Sequence, residues 1–158
     1  MKRALGILLV LFGVAVPSVA LASASTKAGY IAKADPICGA VDSKILVVDT
    51  GLVSEPVTAT PAFLVKVVDG LRRTSSFERT GLRQLRAIPK PLGSATLLTK
   101  LWNTLADGIQ ETQEAITAIE ATNTRKLEQI SVAEIASEAR YRKLAHSYGF
   151  KVCGATKA

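Results

Sequence analysis

Histidine, methionine and aromatic side chains are scarce in this chain, and their scarcity argues against most enzymatic chemistry. There is one histidine, His146, and one methionine, Met1, and aromatic residues make up only 5% of the sequence. A carboxylate-bridged di-metal bundle takes a Glu-x-x-His pair from each of two helices, and no such pair occurs. The Cys-x-x-Cys-His haem attachment motif is missing, and no nucleophile-elbow glycine pattern surrounds any serine. Glu111-x-x-Glu114 falls outside the apolar seam of its helix and reads as a solvated pair. His146 reads as a surface or capping residue in the last turn of a helix, where a cation complements the helix dipole. With few aromatics and no reading motif, nucleic acid is not an expected partner. The expectation is a protein without catalytic residues, metal or cofactor.

Strand signals are missing too, since no run alternates apolar and polar residues. Nor is there a long apolar stretch beyond the N-terminus. Met1-Lys2-Arg3 is a short positive start, Ala4 to Val16 is uncharged and apolar, and Pro17 ends the run. Ala20-x-Ala22 and Ala22-x-Ala24 follow as cleavage patterns, completing the three-part layout of a secretory signal peptide. The alternative, an uncleaved anchor, would need about 20 apolar residues. No cysteine follows closely enough for lipid attachment. Residues 1–24 are therefore expected to be a signal peptide and 25–158 one domain, with no transmembrane helix in the mature chain. Loss of Lys2 and Arg3 takes the formal charge from +7 to +5.

The chain has two cysteines, Cys38 and Cys153. An even count in an exported protein favours a disulfide, the alternative being two separate buried thiols. The bond would close nearly the whole mature chain into one loop, which in the chain-entropy model stabilises by roughly 4–5 kcal/mol.

Four helices can be read. The first spans Asp35 to Thr50, with Asp35 as N-cap, Pro36 at the first helical position, and Cys38, Val41, Ile45, Val48 and Leu52 at 3-4-3-4 spacing. Lys27 to Ala34 is either a separate helical turn or a kinked extension of it, and Gly51 can terminate it. Residues 53–60 read as a loop. Thr60 then caps a second helix opened by Pro61 and running to about Ala87, with Leu64, Val68, Leu71, Leu82 and Leu85 on one face. Gly70 and Gly81 weaken its middle and could leave space for a small ligand. The third helix, Leu92 to Ala121, has the cleanest seam: Leu98, Trp102, Leu105, Ile109, Thr112, Ile116 and Ile119. Trp102 is expected in the core.

Thr122-Asn123-Thr124 turns the chain into a fourth helix that runs to about Tyr148 and stops at Gly149. Its apolar phase slips near Ser131, where Ser131-x-x-Glu134 also fits a capping box; one bent helix is preferred over two. Four helices with short links point to an all-α, up-down-up-down bundle. That topology brings the start of helix one beside the end of helix four, where the two cysteines lie.

The segment Tyr30-Ile31-Ala32-Lys33-Ala34-Asp35-Pro36-Ile37-Cys38 and the tail Tyr148-Gly149-Phe150-Lys151-Val152-Cys153 resemble the two ends of a group of small exported helical proteins of actinobacteria. These open with Tyr-x-x-Lys-Ala-Asp-x-Ile-Cys and close with Gly-x-x-x-Cys. The likeness covers the ends only, and Pro36 departs from it. It implies export and the disulfide, and it brings no activity.

The one concentrated charged feature is basic. Arg72, Arg79, Arg83, Arg86 and Lys90 fall at spacings of 7, 4, 3 and 4 on one side of helix two. Such a stripe could hold an anionic envelope surface or another exported protein, against the plain alternative of a solvated face. The expected role is a non-enzymatic binding or interaction module of the envelope or exterior. The alternative is a carrier of a small apolar ligand held between helices.

Overall fold

The computed structural model describes residues 26–53 and 60–155, so the leader expected at 1–24 and most of the 53–60 loop lie outside the described residues. Within them the chain is all-helical, with four helices: α1 (Lys27–Val53), α2 (Pro61–Ala87), α3 (Ala95–Glu120) and α4 (Thr124–Tyr148). Among the described residues no helix is long and apolar enough to cross a membrane.

Three helix ends follow local chemistry. Thr60 caps α2 by accepting from the Phe63 N–H (3.3 Å), with Pro61 behind it. Asn123 caps α4 through the Lys126 N–H (3.0 Å). Gly149 ends α4 in the left-handed region (φ 96°), its N–H reaching the His146 carbonyl (2.9 Å) while the Phe150 N–H reaches that of Ala145 (3.2 Å). α4 is continuous through Ser131, so the capping box there is not used.

Two helices depart from the reading of the sequence. α1 begins at Lys27, its first turn closed by the Thr26 hydroxyl accepting from the Gly29 N–H (3.0 Å), and it runs through Pro36 and Gly51. Asp35 is therefore not an N-cap, and Gly51 is not a terminator. An interior proline removes one backbone hydrogen bond and crowds the preceding turn. Here Pro36 and Ala32 both lie on the exposed side, so the interrupted turn faces solvent. α3 starts three residues later than expected. Gly93 takes a left-handed φ of 78°, which places Leu92 and Gly93 in a turn, and Leu92 is almost wholly exposed.

Each helix packs on its neighbours in sequence: α1 on α2, α2 on α3, α3 on α4. Among the described residues no Cα of α1 comes within 8 Å of a Cα of α4. The two outer helices are joined at one end, by the tail after Gly149 and by Tyr30 and Lys27 of α1 against the Tyr148 ring of α4. There the start of α1, the end of α2, the start of α3 and the end of α4 meet. Trp102 is buried in this layer and its indole N–H donates to the Tyr30 hydroxyl (2.9 Å), which donates onward to the Leu85 carbonyl (3.3 Å). Tyr148 and Phe150 complete the cluster, with ring centroids 5.0 Å apart, and Phe150 lies 5.8 Å from Trp102. Pairs at such distances contribute about 0.5–1.5 kcal/mol beyond the area they bury.

The same end carries the cysteines. Cys38 and Cys153 are at disulfide distance (S–S 2.06 Å, Cα–Cα 5.2 Å), 115 residues apart in sequence. Asp35, one turn before Cys38, points its carboxylate at the tail. It accepts from the backbone N–H groups of Lys151 (3.0 Å), Val152 (3.1 Å) and Cys153 (3.0 Å).

Candidate functional site

Because α1 and α4 diverge below the tail, a cleft of about 450 Å³ opens between them, floored by α2 and α3. Its roof is the tail at Gly154 and Ala155, beside Tyr141 and Arg142. Cys38, Ile45, Leu82 and Ile109 line it as buried side chains, and Val41, Leu71 and Leu105 as half-buried ones. Ile135, on α4, faces the cleft while remaining largely exposed. The volume lies within the range of small-molecule sites, which are mostly apolar with a few placed polar groups.

The glycines shape this space unequally. A Cβ on Gly81 would lie 2.6 Å from Val41 Cγ2, so a side chain there would run into α1. Gly70 and Gly81 both border the cleft. So does Gly108 of α3, where a Cβ would meet nothing nearer than Ser137 Oγ at 4.0 Å.

The polar lining is mostly acidic. Asp42 and Asp49 come from α1, Glu78 from α2, Glu134 and Glu138 from α4. Arg142 is the only lysine or arginine among the lining residues, and it is ion-paired with Glu138 one turn away. Glu134 holds its proton more tightly than an ordinary glutamate, chiefly because it is desolvated, then because Glu111 and Glu138 repel its charge. Tyr141 is held far above the usual tyrosine range, first by burial and then by the nearby carboxylates of Asp42, Glu78 and Asp35. Its phenol therefore stays neutral and spans from α4 toward α1 and α2. Among the described residues no group of three or more His, Cys, Asp or Glu is arranged to hold a metal ion.

Glu114 keeps the solvent exposure expected of it, whereas Glu111 is half-buried against α4. Glu111 accepts from the buried Ser137 hydroxyl (2.5 Å), and Glu114 pairs with Lys126 (2.9 Å), so both tie α3 to α4. The Lys126 ammonium also holds the Glu114 carboxyl below the usual range.

Four members of the basic stripe lie on α2, while Lys90 falls in the link beyond its end at Ala87 rather than on the helix as expected; three of the five reach α3. Arg72 pairs with Glu120 and with Asp69. Arg86 donates to Asn103 Oδ1 (3.0 Å) and to the Trp102 carbonyl (3.4 Å), and Lys90 donates to the Thr99 hydroxyl (2.8 Å). Arg83 reaches Thr80 within its own helix (3.2 Å), and Arg79 is exposed. The stripe and the cleft share no residue. His146 is exposed in the last turn of α4.

The cleft was not readable from the sequence, since it depends on two helix backbones staying apart. The one available signal was the broken phase of α4, which leaves Val132 and Ile135 exposed. No protein-family model matches the chain, and neither a curated protein nor a solved structure was found to be similar to it.

Proposed function

We propose that this is an exported, non-enzymatic helical-bundle protein that binds a small ligand in the cleft between α1 and α4. The observation that carries the reading is the 450 Å³ space itself, with an apolar floor and polar walls drawn from all four helices. Small-molecule sites in helical bundles commonly form in such places. The signal-peptide pattern at 1–24 and the cysteine pair support export and an extracytoplasmic location. The joined helix ends in the aromatic layer support an up-down-up-down order. The basic stripe remains a second surface, suited to an anionic envelope component or an acidic exported protein, and the outward-facing Arg79 favours that use.

Calorimetric titration of the oxidised protein with octyl-chain probes tests the cleft. Binding at a single site is expected, and Gly108→Leu, which places a side chain on the floor, should weaken it by about ten-fold or more, as lost apolar burial of a few CH₂ groups implies. A protein that takes up none of these probes, and shows a clean native mass after purification, would remove the reading.

A further inference from the structure

We infer that the cleft takes a neutral amphiphile, an apolar chain or ring carrying an acceptor oxygen, and that Tyr141 is the side chain that receives that oxygen. The inference rests on the cleft being a ligand site, and adds the class of ligand. The floor is apolar, made by Ile45, Leu71, Leu82, Leu105 and Ile109. Several polar groups around it are already engaged. The Thr104 and Thr112 hydroxyls donate to carbonyls one turn back in α3 (3.0 and 3.1 Å), and the Ser137 hydroxyl donates to Glu111 (2.5 Å). Asp35 serves the amides of the tail, Arg142 holds Glu138, and Asp42 and Glu78 have partners of their own. The Tyr141 hydroxyl is different. Its side chain is half-buried in the cleft wall, and among the described residues it donates no hydrogen bond.

The phenol is also held in place. Gly154 has a left-handed φ of 75°, and a Cβ there would lie 2.7 Å from Ala145 Cβ, 3.3 Å from Arg142 Cα and 3.5 Å from Tyr141 Cε1. The tail therefore rests directly on this turn of α4 and covers the edge of the ring, and Tyr141 enters the cleft from beneath it. Burial and the nearby carboxylates keep the phenol protonated, so it offers a proton across the neutral range. A hydroxyl without a partner is costly where water is scarce, and a ligand oxygen that accepts from it restores the bond. The same carboxylates oppose a negative head group at that point. A medium-length alcohol, ketone or ester satisfies both conditions, with its stem on the floor and its oxygen under the tail.

Headspace partitioning of volatile probes over the oxidised protein separates the possibilities, with 2-octanone carrying an acceptor oxygen and octane carrying none. Tyr141→Phe keeps the ring and removes only the hydroxyl. It should weaken 2-octanone by about five-fold, the worth of one neutral hydrogen bond, and leave octane within about two-fold of the native protein. Thermal melting of the variant should be unchanged or higher, because no internal bond is lost. A lower melting temperature would show that the hydroxyl is already paired within the protein, and would overturn the assignment. Undiminished 2-octanone uptake by Tyr141→Phe, or an equal loss for both probes, would also overturn it while leaving the cleft a general apolar site. Uptake of neither probe by the native protein would remove the cleft as a site, and this inference with it.

Discussion

Asp35 shows how a local signal can be outbid by a distant one. Asp followed by Pro is a strong helix-start pattern, and a preceding helical segment can then be read only as an appendage. The carboxylate instead serves backbone N–H groups 116 to 118 residues away, and α1 passes straight through the proline. Three amides that would otherwise compete for water are fixed by one charged acceptor, directly beside the cysteine of the tail. Hydrogen bonds to a charged group contribute about 1.5–3 kcal/mol. Asp35→Ala should therefore lower the unfolding free energy of the oxidised protein by about 2 kcal/mol, read from urea denaturation. It should also speed amide hydrogen exchange at residues 151–153 while leaving the rest of α4 protected. Unchanged exchange in the tail would show that the disulfide alone holds it. Glu111 was misread for a related reason: periodicity reports the seam facing the core, and this acid serves a second contact at its edge.

At the level of helices, periodicity was informative where the packing is densest. The α3 seam of Leu98, Trp102, Ile109 and Ile116 is buried as its spacing predicts, and Thr60, Asn123 and Gly149 mark helix ends through side-chain or backbone chemistry that any reader of the chain can apply. Helix starts set by backbone handedness were less legible. Gly93 shifts the beginning of α3: it is the third residue of a turn closed by the Ser94 N–H to the Pro91 carbonyl (3.1 Å), a position that calls for glycine. Two helical glycines give an opposed pair of predictions. Gly81 sits against Val41, so Gly81→Ala should force the α1–α2 contact apart and cost about 1–3 kcal/mol by overpacking. Gly108 faces open space at the cleft, so Gly108→Ala should stabilise by about 0.4–1 kcal/mol through the unfolded chain. Thermal melts of the two variants should move in opposite directions. A shared direction would mean that the cleft wall is closer to α3 than the packing indicates.

For the molecule as a whole, the order of contacts explains both what could be foreseen and what could not. Four helices and the meeting of the two cysteines follow from patterning and chain geometry; the cleft follows from the α1 and α4 backbones staying apart, which no local signal encodes. The disulfide bridges that gap at one end. Replacing Cys38 and Cys153 with serine should lower stability by roughly 4–5 kcal/mol in the chain-entropy model for a loop of this size, measured by urea unfolding of matched samples. A loss below about 1 kcal/mol would mean that Asp35 and the aromatic layer already fix the ends without the covalent link.

Backbone packing between helices adjacent in sequence also bears on the order of assembly. Each helix can dock on the one before it by closing a single short link, and chains rich in such nearby closures assemble quickly. Only the joining of tail to α1 spans the entire length, and sulfur oxidation is slow beside helix docking. With the three helix interfaces formed, the two sulfurs lie side by side. Oxidation is therefore expected to lock a fold that docking has already set, rather than to direct it.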